Sequence, residues 1–385
     1  MWLFKSPEIV YGEGALDTLE QVSGRRAFIV TDANMVKLGF AERVAGYLQR
    51  AGMETQVFAE VEPNPTFKVV LQGKELCMAF EPDWVVGLGG GSAMDAAKAI
   101  YVLYERPDME VEEINPLVPL GLGKKARLMA IPTTSGTGAE TTWVVVLTDQ
   151  EAHKKTVLGS RENVPHLAIV DPCFTMGLPP QITADTGMDV LTHAVEGYTS
   201  LWINDFSDGL CLAAIRLVFS YLPRAWADGQ DAEAREKMHN AATIAGLGFG
   251  NSNAALAHAL GHPMSPALGV PHGRAVGLFL PYTIQFTAGC MGDRYAEIAR
   301  FMGLPASSSE EGTASLVQAV RDLAGRIDQP LTVADLGISR EAFEAVLPKM
   351  VEDGMIDTTT SSRCPDDLEM EKLYRYAYEG KTVDF

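Results

Sequence analysis

Basic residues and cysteines are both scarce in this chain of 385 residues. Lys and Arg number 31 against 50 Asp and Glu, which gives a formal net charge of −19. Nucleic acids and anionic membrane surfaces both need a basic face on their partner, so this balance argues against either as a ligand. The five cysteines form no CxxC pair and support neither a disulfide framework nor a thiolate zinc site: Cys77, Cys173, Cys211, Cys290 and Cys364.

The chain also lacks an uninterrupted apolar run at its start. In MWLFKSPEIV the apolar residues are broken by Lys5 and Pro7, which does not resemble a cleavable signal peptide. The stretch from Asn240 to Gly273 contains no Asp, Glu, Lys or Arg, yet its Asn, Ser, His and Gly residues are unsuited to face lipid. We therefore predict that this stretch is a fully buried helix and that the protein is a cytoplasmic enzyme.

Strand-like and helical patterns alternate in the first half of the chain. This alternation predicts βαβ units and a parallel sheet that is covered on both faces. The chain is also too long for one ordinary core, which predicts two domains. Five strands are predicted: RAFIVTD at 26–32, TQVFAE at 55–60, DWVVGLG at 83–89, RLMAIP at 127–132 and HLAIVDP at 166–172.

The pattern becomes helical almost throughout after LPP at 178–180. The first helix is predicted in ITADTGMDVLTHAVEGYTS, with Thr183 or Asp185 as its N-terminal cap. We predict an α/β domain with a parallel sheet over residues 1–180 and an all-helical domain over residues 181–385.

A glycine-rich stretch, VVGLGGGSAMDAAKAI, follows one predicted strand and precedes a helix. Its three consecutive glycines, Gly89 to Gly91, let a ligand approach the backbone, and the helix amides with the Ser92 hydroxyl can donate to a pyrophosphate. Ser92 stands where the ordinary dinucleotide fingerprint has its third glycine, so a tight structural turn remains an alternative.

A second loop, IPTTSGTGAE at 131–140, also directly follows a predicted strand. Its hydroxyl donors suit an anion, although a capped turn is the alternative because Ser and Thr favour local hydrogen bonds. The carboxyl ends of parallel strands meet at one edge of a sheet, so the two loops are expected to converge there. Its candidate donors are Thr133, Thr134, Ser135 and Thr137.

Asp32 ends the predicted strand RAFIVTD. A carboxylate there would accept hydrogen bonds from the adenosine ribose and repel a 2′-phosphate, which favours NAD over NADP. A turn or cap residue is the alternative.

Histidine is rare, with seven in the chain, yet HALGHPMSPALGVPHG at 258–273 holds three of them. His258 and His262 are four residues apart, as are Asp189 and His193, so each pair shares one face of a helix. With His272, a carboxylate and imidazoles suit Zn²⁺, Fe²⁺ or another divalent ion and leave a coordination position open.

Satisfied core pairs are the alternative for each of these spacings. Burial favours the metal, because an unpaired buried polar group costs about 1–3 kcal/mol and a shared ion satisfies several imidazoles at once.

Four motifs together resemble the iron-dependent (group III) alcohol dehydrogenase family: GGGSAMD with Lys98, IPTTSGTGAE, GMDVLTHAVEGYTS and the HALGHP…PHG block. Their order and spacing match across nearly the whole chain, including PNPT at 63–66. The resemblance implies a dinucleotide-binding α/β domain, a helical metal-binding domain, NAD as cofactor, a divalent metal (Fe²⁺, Zn²⁺ or Mn²⁺) and a homodimer or larger homo-oligomer.

The resemblance also implies roles for single residues. His262 is the expected catalytic histidine, between metal and nicotinamide. The implied metal ligands are Asp189, His193, His258 and His272. The implied cofactor contacts are Asn64, Gly90, Gly91, Ser92, Asp95, Thr133, Thr134, Thr137 and, in a matching segment after a strand, Lys155.

Two segments depart from the family pattern. Members commonly carry an Asn three residues after the PHG glycine and an Asn-Pro-Arg motif near the C-terminus, where this chain reads PHGRAVGLFLP and DTTTSSRCPDDLE. Arg274 and Arg363 lie in these segments, and surface salt bridges are the alternative for both. If Arg274 faces the substrate, it selects an anionic aldehyde such as sulfoacetaldehyde.

The sequence thus predicts metal-dependent hydride transfer between NAD(H) and a small alcohol or aldehyde. Polarisation of the carbonyl by the metal, and a proton relay through His262 or a cofactor ribose hydroxyl, would complete the reaction. One alternative is a lyase or cyclase like dehydroquinate synthase, which also uses NAD and a metal. Another is a non-catalytic assembly protein.

Overall fold

The computed structural model describes residues 3–150 and 154–385. The first two residues of the segment considered above for a signal peptide lie outside the described residues. The chain divides into two compact units, Met1–Met176 and Gly177–Phe385. This division falls near Pro179-Pro180, where the sequence pattern changes from mixed to helical.

The first unit is built on a parallel sheet of six strands in the order β1-β8-β5-β4-β2-β3. All six residues of β4, near the centre of the sheet, are buried, as expected for a parallel strand covered on both faces. The strands are β1 (Glu8–Tyr11), β2 (Arg26–Val30), β3 (Glu54–Phe58), β4 (Trp84–Gly89), β5 (Arg127–Pro132) and β8 (Leu167–Val170).

Alternate residues of these strands pack on opposite faces of the sheet. Phe28 and Val85 join one apolar cluster, with residues of the helices α3 (Phe67–Phe80) and α4 (Gly91–Glu105). Their neighbours Ile29 and Val86 join a second cluster, with residues of α2 (Phe40–Arg50). This is the period-two alternation of a strand, so helices cover both faces as predicted.

All five predicted strands are confirmed, but three further strands were not predicted. β1 has only four residues and lies at the edge of the sheet, where its side chains are exposed or half-buried, so its apolar signal is weak. The other two, β6 (Val144–Asp149) and β7 (Lys154–Gly159), form a separate antiparallel pair. Between β2 and α2 lies the short helix α1 (Ala33–Lys37).

Within the described residues the second unit contains nine α-helices and no strand. Apolar residues of α5, α6, α7, α10 and α11 form one core, and those of α8, α10, α12 and α13 form another. The helices are α5 (Pro180–Thr199), α6 (Asp205–Ala227), α7 (Ala232–Phe249), α8 (Leu256–Gly261), α9 (Met264–Leu268), α10 (His272–Phe301), α11 (Ser309–Arg326), α12 (Arg340–Ile356) and α13 (Asp367–Glu379).

Helix α6 is long and apolar enough to cross a membrane by length and composition alone, a test that core helices of soluble proteins also pass. Its buried residues Cys211, Ile215 and Val218 pack in the same core as α5 and α7.

Two local predictions for this unit are wrong. Helix α5 begins at Pro180 with Pro179 as its N-cap, so neither Thr183 nor Asp185 caps it; proline favours the first helical position because its fixed φ suits a helix and it needs no N–H partner there. The charge-free stretch 240–273 is neither one helix nor fully buried, since Pro266, Gly269 and Pro271 are exposed. It contains the end of α7, the helices α8 and α9 and the start of α10, because Gly, Asn and Pro residues interrupt it.

Candidate active site

The glycine loop, Gly89 to Ser92, connects β4 to α4. Gly89 has a φ of +146°, and a Cβ added there would lie 2.8 Å from the Cβ of Ala93. A Cβ on Gly91 would lie 2.8 Å from Cγ2 of Thr137. Side chains larger than hydrogen would therefore fill this loop, which lies at the N-terminus of α4, where the first backbone N–H groups of a helix can bind an anion.

The second loop and Asp32 both lie beside the glycine loop. A Cβ added to Gly90 would contact Oγ1 of Thr134 at 3.6 Å, and one on Gly89 would contact Oδ2 of Asp32 at 3.4 Å. Strands β2, β4 and β5 are neighbours in the sheet, and the chain continues from β2 to one side and from β3 to the other. The loops after β2 and β4 thus flank a switch point of the kind where parallel sheets bind ligands.

Asp32 has a structural task as well. Its Oδ1 accepts hydrogen bonds from the backbone N–H groups of Asn34 (2.8 Å) and Met35 (3.2 Å), which makes it the N-cap of α1. Its second oxygen, Oδ2, faces the glycine loop. The cap and the expected ribose contact therefore use different oxygens of one carboxylate.

Some of the remaining predicted cofactor residues are buried and others are exposed. Thr133 is buried, and its Oγ1 has no hydrogen-bond partner in the described part of the chain. Asp95 is also buried, where its Oδ2 accepts from Val146 N at 3.0 Å. Asn64 is exposed in the loop between β3 and α3, with a φ of +58°.

A buried charge cluster surrounds Asp95. Lys98 donates to Thr142 Oγ1 (3.2 Å) and Val144 O (2.9 Å) and lies 3.7 Å from Asp95. Burial raises the pKa of Asp95 to about 6, although Lys98 and Lys155 oppose that shift. Burial likewise lowers the pKa of Lys155, against the attraction of Asp95. These side chains fasten α4 to the β6–β7 pair.

In the second unit, three imidazoles surround one carboxylate oxygen. Asp189 Oδ1 lies 3.6 Å from His193 Nδ1, 3.7 Å from His258 Nε2 and 3.5 Å from His272 Nε2. These four residues are called the donor cluster below. Asp189 and His193 lie on α5, His258 on α8, and His272 begins α10. The helices thus join residues that are far apart in sequence.

The donor cluster fits a metal ion. Asp189 Oδ1, His193 Nδ1 and His258 Nε2 are buried and have no hydrogen-bond partner among the described residues, because separations of 3.6–3.7 Å are too long. Ligand atoms of Asp189, His258 and His272 all lie within 4.8 Å of one another. One ion would satisfy donors that are otherwise buried at a cost.

The titration of the cluster reflects burial and mutual attraction. Burial acts to raise the pKa of Asp189, but the His193 and His272 imidazoles outweigh it and hold that pKa below its usual value. Burial lowers the pKa of His193 to about 4, so this ring is neutral. For His258 burial is outweighed by Glu196 and Asp189, and the pKa rises to about 9.

Glu196 is a site residue that the sequence analysis missed. It is buried on the same face of α5 as Asp189, where it accepts hydrogen bonds from Ala255 N (2.9 Å) and Ala257 N (2.5 Å). Its Oε2 also lies 2.5 Å from His258 Nδ1. Because Glu196 holds a proton on Nδ1, Nε2 is the nitrogen that faces Asp189 and that would bind a metal once its own proton is lost. The Asp189-x₆-Glu196 spacing was the available signal.

His262 follows α8 and lies beside the donor cluster without joining it. Its ring stacks on that of His272 with centroids 5.3 Å apart, and its Nδ1 lies 2.9 Å from Asp357 Oδ2. The ring is less buried than His258, at 18% side-chain exposure. Asp357 was not predicted, because it lies 95 residues away in sequence. It fixes the ring and the proton on Nδ1.

Arg274 pairs with an acidic residue. Its Nε donates to Asp185 Oδ1 at 2.9 Å and its Nη2 to Oδ2 at 3.3 Å, and the side chains are 19% and 11% exposed. Arg363 donates to the backbone oxygens of Phe286 and Phe385 and so anchors the C-terminal tail.

Comparison with known proteins gives a consistent result. The family Iron-containing alcohol dehydrogenase matches residues 6–172, and the C-terminal part of the Fe-containing alcohol dehydrogenase family matches residues 183–378. The NADPH-dependent butanol dehydrogenase of Clostridium saccharobutylicum is 37% identical over 383 residues, which cover 98% of each chain. The chain spans less than half of the larger aldehyde-alcohol dehydrogenases that it also matches, 43–46% of their length.

Solved structures agree. A 1,3-propanediol oxidoreductase superposes with a TM-score of 0.92 at 30% identity, covering 98% of this chain and all of that one. Sulfoacetaldehyde reductase from Bifidobacterium kashiwanohense, in complex with NAD⁺, superposes with a TM-score of 0.87 at 32% identity, covering 98% and 99%. With both units matched, the chain belongs to the iron-containing alcohol dehydrogenase family of NAD- and metal-dependent oxidoreductases.

Proposed function

We propose that this enzyme interconverts a small, uncharged alcohol and its aldehyde, with NAD(H) as the preferred cofactor, in the cytoplasm and as a homo-oligomer. The observation that carries the proposal is the donor cluster, where three imidazole nitrogens face Asp189 Oδ1 at 3.5–3.7 Å. Family membership does not favour the lyase or the non-catalytic alternative.

The donor cluster would hold the divalent metal through Asp189, His193, His258 and His272. When bound, such an ion acts as a Lewis acid that polarises a carbonyl oxygen. Glu196 keeps the Nδ1 proton of His258 away from that face, since it accepts a hydrogen bond there. The contact with Glu196 would therefore orient the His258 ring before any ion arrives, and the ion would displace the proton on Nε2.

His262 would move the proton that the reaction releases or consumes. Its Nδ1 faces Asp357, so its Nε2 is the nitrogen available to substrate. With 18% of its side chain exposed, the ring can exchange a proton with water. Asp357 would hold the orientation of the ring during that transfer.

The first unit would bind the dinucleotide. The glycine loop and Thr133, whose buried hydroxyl lacks a partner among the described residues, suit a pyrophosphate. Further cofactor contacts are proposed because the family resemblance implies them: Asn64, Asp95, Thr134, Thr137 and Lys155. Asp32 supports NAD over NADP, although one relative is named NADPH-dependent.

An anaerobic NADH-oxidation screen tests this function. The protein is stripped of metal, reloaded with Fe²⁺, Zn²⁺ or Mn²⁺ in turn, and offered propanal, butanal and acetaldehyde. Turnover that needs both the ion and Asp189 is expected, with Asp189→Asn as the inactive control. Activity of the stripped protein equal to that of every reloaded form would contradict the proposal.

An anionic aldehyde is a second candidate substrate, favoured by the likeness to a sulfoacetaldehyde reductase. It requires Arg274 to act as a free cation, whereas the pair with Asp185 already occupies two of its N–H groups. The kcat/KM ratio of sulfoacetaldehyde to propanal separates the candidates. A ratio well above one in the parent, reduced in Arg274→Ala, would favour the anionic substrate.

A further inference from the structure

Arg274 lies in the first turn of α10, two residues after His272, and it contacts α5 rather than solvent alone. Its two parallel hydrogen bonds to Asp185 are the geometry in which a guanidinium binds a carboxylate best. The Gln181 amide lies beside the same guanidinium, and when it is turned so that its oxygen faces Arg274 it accepts from Nη2 (2.6 Å) and Nη1 (3.1 Å). Both partners of the guanidinium are therefore on α5.

Asp185 is held from a second direction. Gln329, which is buried, donates from Nε2 to Asp185 Oδ1 at 2.8 Å. This carboxylate thus binds side chains from α10 and from the segment after α11, and it sits one helical turn before Asp189 on the same face of α5.

The two helices touch through their backbones at this point. A Cβ added to Gly273 would lie 2.2 Å from the carbonyl oxygen of Asp185 and 3.1 Å from Cβ of Asp189. A small change in the separation of α5 and α10 here therefore moves His272 directly relative to Asp189. The distance from His272 Nε2 to Asp189 Oδ1 is 3.5 Å.

We propose that the Arg274–Asp185 ion pair is a positioning clamp that fixes His272 against Asp189 and so raises the affinity of the donor cluster for its metal. The proposal rests on the proposed function, because it needs the metal site. It assigns to Arg274 a role between helices instead of a role in binding an anionic substrate.

The test measures metal affinity directly, by competition of the full-length protein with a chromophoric chelator for Zn²⁺. Arg274→Ala and Asp185→Ala are each expected to weaken binding by about 10-fold to 100-fold, the range found for residues that orient metal ligands. The double variant is expected to bind no more weakly than the weaker single variant, because both changes remove one interaction.

Arg274→Lys keeps the charge but cannot form two parallel bonds, so its affinity should fall between those of the parent and Arg274→Ala. Arg224→Ala is the matched control, because it breaks an ion pair with Asp231 that lies outside α10. It should leave the affinity for Zn²⁺ unchanged. Thermal melting of the metal-free variants identifies any that fail to fold, in which case the Arg274→Lys result decides.

If Arg274→Ala and Arg274→Lys bind Zn²⁺ as tightly as the parent does, the clamp is overturned while the metal site stands. Additive losses in the double variant would also overturn it. A parent that binds no Zn²⁺ would overturn both the clamp and the proposed function. A sulfoacetaldehyde-to-propanal ratio that drops in metal-saturated Arg274→Ala, with unchanged affinity, would assign Arg274 to the substrate.

Discussion

The glycine loop and the donor cluster are built from opposite parts of the chain, the first from backbone and the second from side chains. The glycine loop is made mainly of backbone, over four adjacent residues, and works because three of them, Gly89 to Gly91, carry no side chain. The donor cluster is made of side chains from three helices, spread over 84 residues of sequence from Asp189 to His272, and works because every partner is in place. A backbone site is damaged by adding atoms, and a side-chain site is damaged by removing them.

Removal of a donor should have the largest effect. Asp189→Ala takes away the oxygen that three imidazoles face, so metal content should fall below about a tenth of the parent's. Turnover should fall by about a thousandfold, which corresponds to about 4 kcal/mol of lost charge stabilisation. Metal analysis and steady-state rates measure both. NADH binding, followed by fluorescence, should stay within about twofold, since the glycine loop is in the other unit. Full metal occupancy would refute the assignment of Asp189.

Glu196→Gln tests whether the donor cluster also depends on its outer contacts. An amide cannot accept all of the hydrogen bonds that Ala255, Ala257 and His258 give to the carboxylate, so His258 loses its fixed proton. Metal affinity should fall by about 10-fold to 100-fold. The exposed Glu352→Gln is the matched control. Equal affinities for the two variants would show that Glu196 serves packing alone.

Unlike the glycine loop, which is built from backbone, the donor cluster should bind its ligand with an affinity that depends on pH. In the metal-free protein the pKa of His258 is raised to about 9, so an ion must displace its proton at neutral pH. Metal affinity should rise up to about tenfold per pH unit from pH 7 and level off near pH 9.

The same shift has the opposite effect on the metal-free fold. A folded pKa above the unfolded value of about 6.5 stabilises the protein fully below pH 6.5, and this stability is lost as pH rises through about 9. Chelator competition and urea unfolding measure the two trends. A flat affinity between pH 7 and 9 would mean that His258 is already unprotonated.

Gly91→Ala is the converse experiment, because it adds an atom to the first unit. The new Cβ would lie 2.8 Å from Thr137 Cγ2, so the Thr137 side chain or the loop that carries it must move. NADH should bind about tenfold more weakly, by the usual cost of overpacking, while metal content stays stoichiometric. Gly46→Ala is the control, since its Cβ meets only Arg50 Nη1 at 3.5 Å. Unchanged NADH affinity in Gly91→Ala would separate this loop from the cofactor.

At Asp32, where a side chain assists the backbone site, we expect a change in the choice of cofactor rather than a loss of activity. Asp32→Ser removes the charge but keeps an oxygen for the cap of α1, whereas Asp32→Gly removes both. Both should improve NADPH relative to NADH, by about 1–3 kcal/mol or roughly five- to 150-fold in kcat/KM. Thermal melting should show a loss of stability chiefly in Asp32→Gly. An unchanged cofactor ratio in both would show that Asp32 does not read the ribose.

The sequence was most informative where a feature is local. The central strands were identified because they are continuous apolar runs that end in turn residues, and β4 is indeed buried throughout. The edge strand β1 escaped because half-exposed residues carry little apolar signal. The charge-free stretch 240–273 misled because the absence of charge does not show where Gly and Pro break a helix, and the turns that they form expose residues such as Pro266 and Gly269.

By itself, the sequence determined the parallel α/β unit and the helical unit, since each rests on the periodicity of its own elements, and the family resemblance added the expected donors to the two spacings of four residues. Only the tertiary structure decided which carboxylates serve them. Glu196 meets His258 across 62 residues and Asp357 meets His262 across 95, and Arg274 faces Asp185 across 89. Helix periodicity places a side chain on a face, but its partner is set by which helix packs there, and that packing depends on the whole core.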